Sequence, residues 1–345
     1  MLGRQSPLPV IGSRSMFTVT RPLGWPLPVS VLSFVRHHSR PSTQLIISRL
    51  SSTKPPRARS RMSLPRLPAV SSVSPRVLRV LGCNPGFMTL QGTNTYVVGT
   101  GERRILIDTG EPNFPEYIKN LQETMIKYNF QLDHIIISHW HSDHIGGVNN
   151  VLDMITNKNE CKVWKFNPKI GKKRDYNFPL HFVENKQKFH VEGATLIIHH
   201  TPGHTTDHIV MFLEEDNALF SADCVLGEGT TVFEDLTEYL NSLQLILDLN
   251  PTVIFPGHGS VIKDPIVRVN NYIKHRLERE MELYNLINKS PSRSLSEEEI
   301  VNEMYTVIPN DYKRVASYIV KNHLAKLSKD GKLVLIDDKW RIKEQ

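Results

Sequence analysis

Ser138-His139-Trp140-His141-Ser142-Asp143-His144-Ile145-Gly146-Gly147 decides how this chain is read. Three histidines and one aspartate fall within six residues, directly after the apolar run His134 to Ile137. Such a run, bounded by polar residues, is a buried strand. Histidines at i and i+2 point the same way from extended backbone. Asp143 and His144 are adjacent, so they diverge and can serve a second centre. Imidazole and carboxylate donors suit zinc, and they also accommodate manganese or iron.

Working outward, three further segments repeat the device: Thr201-Pro202-Gly203-His204, Phe220-Ser221-Ala222-Asp223 and Phe255-Pro256-Gly257-His258-Gly259. Each is an apolar strand followed by a turn that presents one histidine or aspartate. The candidate metal ligands are therefore His139, His141, Asp143, His144, His204, Asp223 and His258. Seven ligands exceed one four-coordinate site and fit two metals with one carboxylate between them. A single histidine is more often a core or surface residue. His37, His38, His181, His190, His199, His200, His275 and His323 are read that way. The clustered set is not, because burying so many ionisable groups without a metal is costly.

The surrounding pattern predicts an α+β chain. Strands are expected at Val77 to Leu81, Thr95 to Val98, Arg104 to Asp108, His134 to Ile137, Lys162 to Phe166, Thr195 to His199, His208 to Phe212, Ala218 to Ser221 and Thr252 to Phe255. Helices are expected at Pro115 to Tyr128, Ile145 to Met154 and Leu236 to Leu249. Strands that alternate with helices and end near His or Asp place the site at the strand ends. Asp264-Pro265 opens a long helix to about Lys289. Ser296 and Glu299 form a capping box for a short helix to about Tyr305. A helix from about Asp311 to Ser328, stopped at Gly331, precedes a hairpin of Lys332 to Ile336 and Lys339 to Ile342. Helix, helix and hairpin resemble a winged-helix module.

The 345 residues include 42 Lys plus Arg against 35 Asp plus Glu, a net charge of +7. That charge is not evenly spread. Residues 1–101 hold 13 of the basic residues and no acidic one, which leaves 29 basic against 35 acidic beyond them. Eleven of the 22 prolines lie in residues 1–76. Residues 1–76 are therefore expected to be a disordered extension, and its Arg-rich, Ser-rich, acid-free composition fits a mitochondrial presequence. Met62 is an alternative start. No apolar run is long enough for a membrane helix. Three scattered cysteines rule out a disulfide framework.

The order and spacing of the histidine and aspartate motifs resemble the metallo-β-lactamase superfamily, and most closely its β-lactamase-like protein 2 family. Supporting runs are Gly82-Cys83-Asn84-Pro85-Gly86, Leu90-Gln91-Gly92-Thr93-Asn94-Thr95-Tyr96 and Gly227-Glu228-Gly229-Thr230-Thr231-Val232-Phe233-Glu234-Asp235. The resemblance covers residues 77–345. It implies a four-layer αβ/βα sandwich over residues 77–262 and a winged-helix-like domain over residues 263–345. It implies two Zn2+ per chain: one on His139, His141 and His204, the other on Asp143, His144 and His258, with Asp223 bridging. A hydroxide between the metals would be the nucleophile, oriented by Asp143 as a catalytic residue. Asp108 would support the histidine loop, and Asn94 and Thr95 would line the substrate site. Ala222 departs from the glycine usual before the bridging aspartate, and its methyl group is expected to crowd the turn.

The family resemblance further implies an endoribonuclease acting on single-stranded RNA in the mitochondrial matrix. Two features agree with an RNA partner. Lys158, Lys162, Lys165, Lys169, Lys172, Lys173 and Arg174 are interleaved with Trp164, Phe166, Tyr176 and Phe178. The C-terminal module carries Lys326, Lys329, Lys332, Lys339, Arg341 and Lys343. Ser142 and Thr205, beside ligands, are candidates for orienting them. The rival readings are a glyoxalase-II-like thioesterase using the same metals, and a non-catalytic RNA-binding scaffold. A scaffold would be free to lose ligands, and none is missing.

Overall fold

A computed structural model describes residues 64–345, apart from 169–174, 291, 293, 307–309 and 344–345. The expected presequence, the choice between Met1 and Met62, and the cations Lys169, Lys172, Lys173 and Arg174 lie outside the described residues.

Two sheets form the body. The first holds β1 (Val70–Ser74), β2 (Val77–Leu81), β3 (Asn94–Val98), β4 (Arg103–Ile107), β5 (Gln131–Ile137), β6 (Lys162–Phe166) and β7 (Leu180–Val183), adjacent in sequence order. Pairing is antiparallel from β1 to β4 and parallel from β4 to β7. The second holds β8 (Lys188–Val191), β9 (Ala194–His200), β10 (Ile209–Leu213), β11 (Ala218–Ala222) and β12 (Val253–Pro256). Its one parallel pair, β11 with β12, needs a crossover, which α4 (Leu236–Leu249) supplies. Asp235 caps that helix by accepting from the amides of Thr237 and Glu238.

Strand alternation separates the layers. Tyr96, Val98, Ile105, Ile107 and Ile136 face Leu196, Ile198, Ile209, Met211 and Phe220 between the sheets. The intervening Val97, Leu106, Ile135 and Ile137 face outward onto α1 (Pro115–Lys127) and α3 (Val148–Met154). Val210, Leu219 and Ile254 face α4 on the other side. Helix, sheet, sheet, helix is the four-layer αβ/βα sandwich expected.

The expected single helix over Ile145 to Met154 is instead α2 (Ser142–Ile145) followed by α3. The Gly146-Gly147 pair divides them. A Cβ on Gly147 would stand 2.0 Å from the Thr109 carbonyl oxygen, so only glycine lets this turn sit against the end of β4. The sheet also starts earlier than the boundary at residue 77. β1 pairs with β2 in an irregular register between Ser72 and Ser74. Its apolar residues, Val70 and Val73, do not alternate, which hid it. β7 and β8 lie at sheet edges with exposed residues, and they escaped the pattern for the same reason.

The second boundary, at residues 262 and 263, falls just before a helix that serves both domains. α5 (Pro265–Lys289) buries Val269 and Tyr272 against the second sheet's helical layer. Its far half buries Leu283 and Ile287 with α6 (Glu297–Met304), α7 (Asn310–Lys329) and a small sheet. That sheet has the order β13 (Ser294–Leu295), β15 (Lys339–Ile342), β14 (Leu333–Ile336). The capping box at Ser296 and Glu299 is present. Among the described residues, no helix is long and apolar enough to cross a membrane.

Candidate metal centre

Four strand ends deliver the seven predicted ligands, and a fifth delivers Asp108. His139 and His141 follow β5, and Asp143 and His144 occupy the short α2 beyond them. His204 sits in the turn after β9, Asp223 directly after β11, and His258 two residues after β12. Donor atoms of His139, His141, His204 and Asp223 lie within 4.8 Å of one another, and those of Asp143, His144 and His258 form a second such group. Asp223 faces both groups. Its Oδ1 is 3.3 Å from Nε2 of His144 and of His258, and its Oδ2 is 3.6 Å from Nε2 of His204.

Hydrogen bonds behind the rings decide which nitrogen each ring offers. Asp108 accepts from the Ser138 amide through Oδ1, and from Ser138 Oγ and His144 Nδ1 through Oδ2, at 2.7 to 2.8 Å. With its proton given to Asp108, Ser138 Oγ is left to accept from His139 Nδ1 at 2.9 Å. His204 Nδ1 donates to the Val232 carbonyl at 2.8 Å, with Thr231 Oγ1 3.1 Å away. Each of these rings therefore turns Nε2 inward, the arrangement by which outer partners orient metal-binding histidines. His139 Nε2 and His204 Nε2 stand 2.9 and 3.1 Å from His141 Nδ1. Ligand atoms around tetrahedral zinc are about 3.3 Å apart at zinc–nitrogen bonds of about 2.0 Å. The spacing of this donor set fits a cation.

Burial sharpens that fit. His139, His144, His204 and His258 are buried, whereas His141 and Asp143 are partly exposed, so the centre opens to solvent on their side. His144 Nε2 is near two carboxylates yet aligned for a hydrogen bond to neither, and Asp223 Oδ1 is likewise left without a partner. Buried polar atoms without partners are costly. A cation between the carboxylates and imidazoles satisfies both.

Electrostatics divides the two groups. Burial pushes His139 well below the usual imidazole range, with the nearby His144 and His204 adding to it. Burial and His204 bring His141 down to about 4. Burial also pushes His258 down, but Asp223 and Asp143 outweigh it and raise the ring to about 9. His144 is raised by Asp143, Asp223 and Asp108 against the same burial. Burial pushes the carboxyls of Asp143 and Asp223 up, and the cationic rings beside them more than reverse this. In the metal-free chain, protons on His144 and His258 thus supply positive charge to the carboxylate-rich half.

Several expectations need correction. Asn94 and Thr95 do not line a substrate site. Asn94 Nδ2 donates to the carbonyls of Pro256 and Gly259, bracing the His258 loop, and Thr95 Oγ1 donates to Val80 O on the strand beside it. Both are buried. Their neighbour Thr93 reaches the centre instead. Its hydroxyl accepts from Asn84 Nδ2 and donates to Asp143 Oδ2 at 3.2 Å. Thr205 Oγ1 donates to Asp207, so Ser138 and Thr231 take the orienting role expected of Ser142 and Thr205. Ala222 adopts φ +42°, and its carbonyl accepts from the Gly257 amide. A Cβ on Gly257 would lie 2.5 Å from Asp223 Oδ1. The turn therefore keeps its shape, with strain at Ala222 and space left by Gly257.

Among the described residues of the basic and aromatic run, Lys165 and the aromatics are committed to the fold. Lys165 is buried and ion-paired with Asp207. Trp164 Nε1 donates to His134, and Phe166 stacks on His200 with ring centres 4.0 Å apart. Tyr176 and Phe178 pack against the outer core. In the C-terminal module Lys326 and Lys332 pair with Glu280, Lys329 with Asp235 and Lys339 with Glu299. His208 went unnoticed in the sequence. It is buried with its ring 5.2 Å from His139, and its Nδ1 lies 2.9 Å from Thr201 Oγ1. Its place at the start of an ordinary apolar strand gave no signal.

Comparison with known proteins agrees with this geometry. Residues 88–258 match the metallo-beta-lactamase superfamily model, and residues 296–340 match the beta-lactamase associated winged helix domain. A beta-lactamase-like protein 2 homolog of Drosophila melanogaster is 45% identical over 77% of this chain and 92% of its own length. An atrochrysone carboxyl ACP thioesterase of Aspergillus chevalieri is 37% identical over 78% of this chain and 86% of its own. The crystal structure of a beta-lactamase domain protein from Burkholderia ambifaria superposes with a TM-score of 0.68 at 17% identity, covering 80% of this chain and 95% of that one. The chain belongs to the metallo-β-lactamase superfamily of metal-binding hydrolases, among the β-lactamase-like protein 2 homologues.

Proposed function

We propose that this hydrolase is an endoribonuclease of single-stranded RNA, working with two zinc ions in the mitochondrial matrix. The observation that carries the two-metal reading is Asp223, whose two oxygens face the two donor groups. His139, His141 and His204 would hold one ion, and Asp143, His144 and His258 the other. Bound there, the ions supply Lewis acidity, lowering the pKa of a water and stabilising the oxygens of the attacked phosphodiester. The chain's residues aim that chemistry. Asp143, partly exposed and fixed by the Asn84–Thr93 relay, accepts a hydrogen bond from the attacking water and aligns it. Ser138, Asp108 and Val232 keep the rings from turning. RNA as substrate is supported by the resemblance of residues 77–345 to the β-lactamase-like protein 2 family. The matrix location is supported by the composition of residues 1–76.

A thioesterase is the second reading, favoured by the Aspergillus chevalieri relative. The full-length protein, loaded with zinc, is tested on labelled single-stranded RNA and on an acyl thioester, beside Asp143→Ala. RNA cleavage that falls about a hundredfold or more in the variant supports the ribonuclease. Thioester hydrolysis with intact RNA replaces it with the second reading. Mass spectrometry of the N-terminus from purified mitochondria tests the location: a processed form there is expected, and its absence refutes the matrix assignment.

A further inference from the structure

A cavity of about 460 Å³ lies where the C-terminal domain meets the loops of the metal centre. Val232 lines it, and the carbonyl of Val232 is the one that holds His204. Met88, from the loop that leads to Thr93, lines another side and is 52% exposed. The third side is α7, which contributes Arg314, Tyr318 and Lys321. These three recur at i, i+4 and i+7, so they form one stripe on one helical face.

The charge on this stripe is uncommitted. Among the described residues neither Arg314 nor Lys321 has an ion pair, whereas Lys326, Lys329, Lys332 and Lys339 are all paired within the fold. Tyr318 is 42% exposed between the two cations. One acid, Glu297, also lines the cavity; its carboxylate accepts from Ser317 Oγ at 2.9 Å, and the two cations outnumber it. Arg314 and Lys321 start about 10 Å apart along the helix, the span of a short stretch of extended chain. Two cations tracking a backbone, with an aromatic face between them for a base, is the construction that binds single-stranded nucleic acid without sequence readout.

We infer that Arg314, Tyr318 and Lys321 on α7, with Met88 opposite, form the groove that holds single-stranded RNA beside the metal centre. The inference rests on the ribonuclease reading. It takes the place of Lys165 and the paired lysines of the C-terminal module as the RNA contact. The groove ends on Val232, whose carbonyl holds His204 from behind.

The test measures binding and cleavage of a labelled single-stranded RNA by the full-length zinc-loaded protein. It compares Arg314→Ala/Lys321→Ala, Tyr318→Ala, the charge-preserving Arg314→Lys/Lys321→Arg, and the control Lys339→Ala. The double alanine variant is expected to raise KM about tenfold or more, with a smaller fall in kcat. Its slope of log K against log salt should be shallower by about 1.4, at about 0.7 per lost phosphate contact. Tyr318→Ala should weaken binding about tenfold without changing that slope. The charge-preserving variant should recover most of the affinity, and Lys339→Ala should stay within about twofold of the parent, because its charge is exposed and already paired. Parental KM and salt slope in the double alanine variant would overturn the groove and leave the ribonuclease standing. Failure of the parent itself to bind or cleave RNA, at full zinc content, would overturn the ribonuclease reading and the groove with it.

Discussion

Asp108 shows how much of the centre is held by residues that never touch a metal. Its carboxylate accepts from Ser138 twice and from His144 once, and its backbone adopts φ +58° to do so. Asp108→Asn keeps the shape and discards the charge. Zinc affinity, measured by competition with a chelator, should fall about 10- to 100-fold, the usual cost of losing such a partner. Protons give a second prediction. In the metal-free chain His258 stays protonated up to about 9, so a cation must displace that proton to bind. Affinity should therefore rise with pH up to about 9, and calorimetry in two buffers of different ionisation enthalpy should detect proton release. Without metal the same raised pKa stabilises the fold fully below 6.5, and that contribution is lost as pH rises through about 9. Ala222 gives a third. At φ +42° its methyl group is strained, so Ala222→Gly should stabilise the chain by about 1 kcal/mol in urea unfolding. The ligands themselves were legible because each follows an apolar strand at a turn. Ser138, Thr231 and His208 were not, because their roles depend on which rings the fold brings behind them.

Elements differ in legibility for a physical reason. α4 matches its expected span because cap, apolar period and stop agree, whereas α5 matches through Pro265 in its first turn and its apolar period, without the side-chain cap expected of Asp264. β1, β7 and β8 are edge strands or irregular, so no clean alternation marks them. The basic run around β6 was read as a nucleic-acid surface, yet alternation along the strand buries Lys165 onto Asp207. Between the domains, α5 and α7 brace the segment behind His204. Arg276 donates to the Thr231 carbonyl at 2.6 Å, and Asn322 donates to that of Phe233 at 2.6 Å. His323, beside Asn322, is fully buried with neither ring nitrogen paired. Burial, with Arg276 and Arg279 nearby, lowers its pKa to about 3. A depressed histidine binds fewer protons folded than unfolded, so stability should rise with pH between about 3 and 6.5. The slope from this group approaches about 1.4 kcal/mol per pH unit. His323→Leu should remove that component from urea melts across this range. An unchanged slope would show that the ring is not held neutral.

At the scale of the whole molecule, two sheets converge so that five strand ends meet at one place, and the C-terminal domain packs on the loop that completes it. Its division into a sandwich and a winged-helix-like end was legible from the order of elements, although β1 extends the first part and α5 belongs to both. Substrate identity is less legible, because the same two donor groups suit phosphodiesters and thioesters alike. The central claim is that both groups fill and act together on RNA. The most direct measurement titrates the metal-stripped, full-length protein with zinc while following cleavage of a labelled single-stranded RNA. The account predicts that cleavage rises to a break at about two equivalents. A break at one equivalent, or intact RNA at saturating zinc, would contradict it.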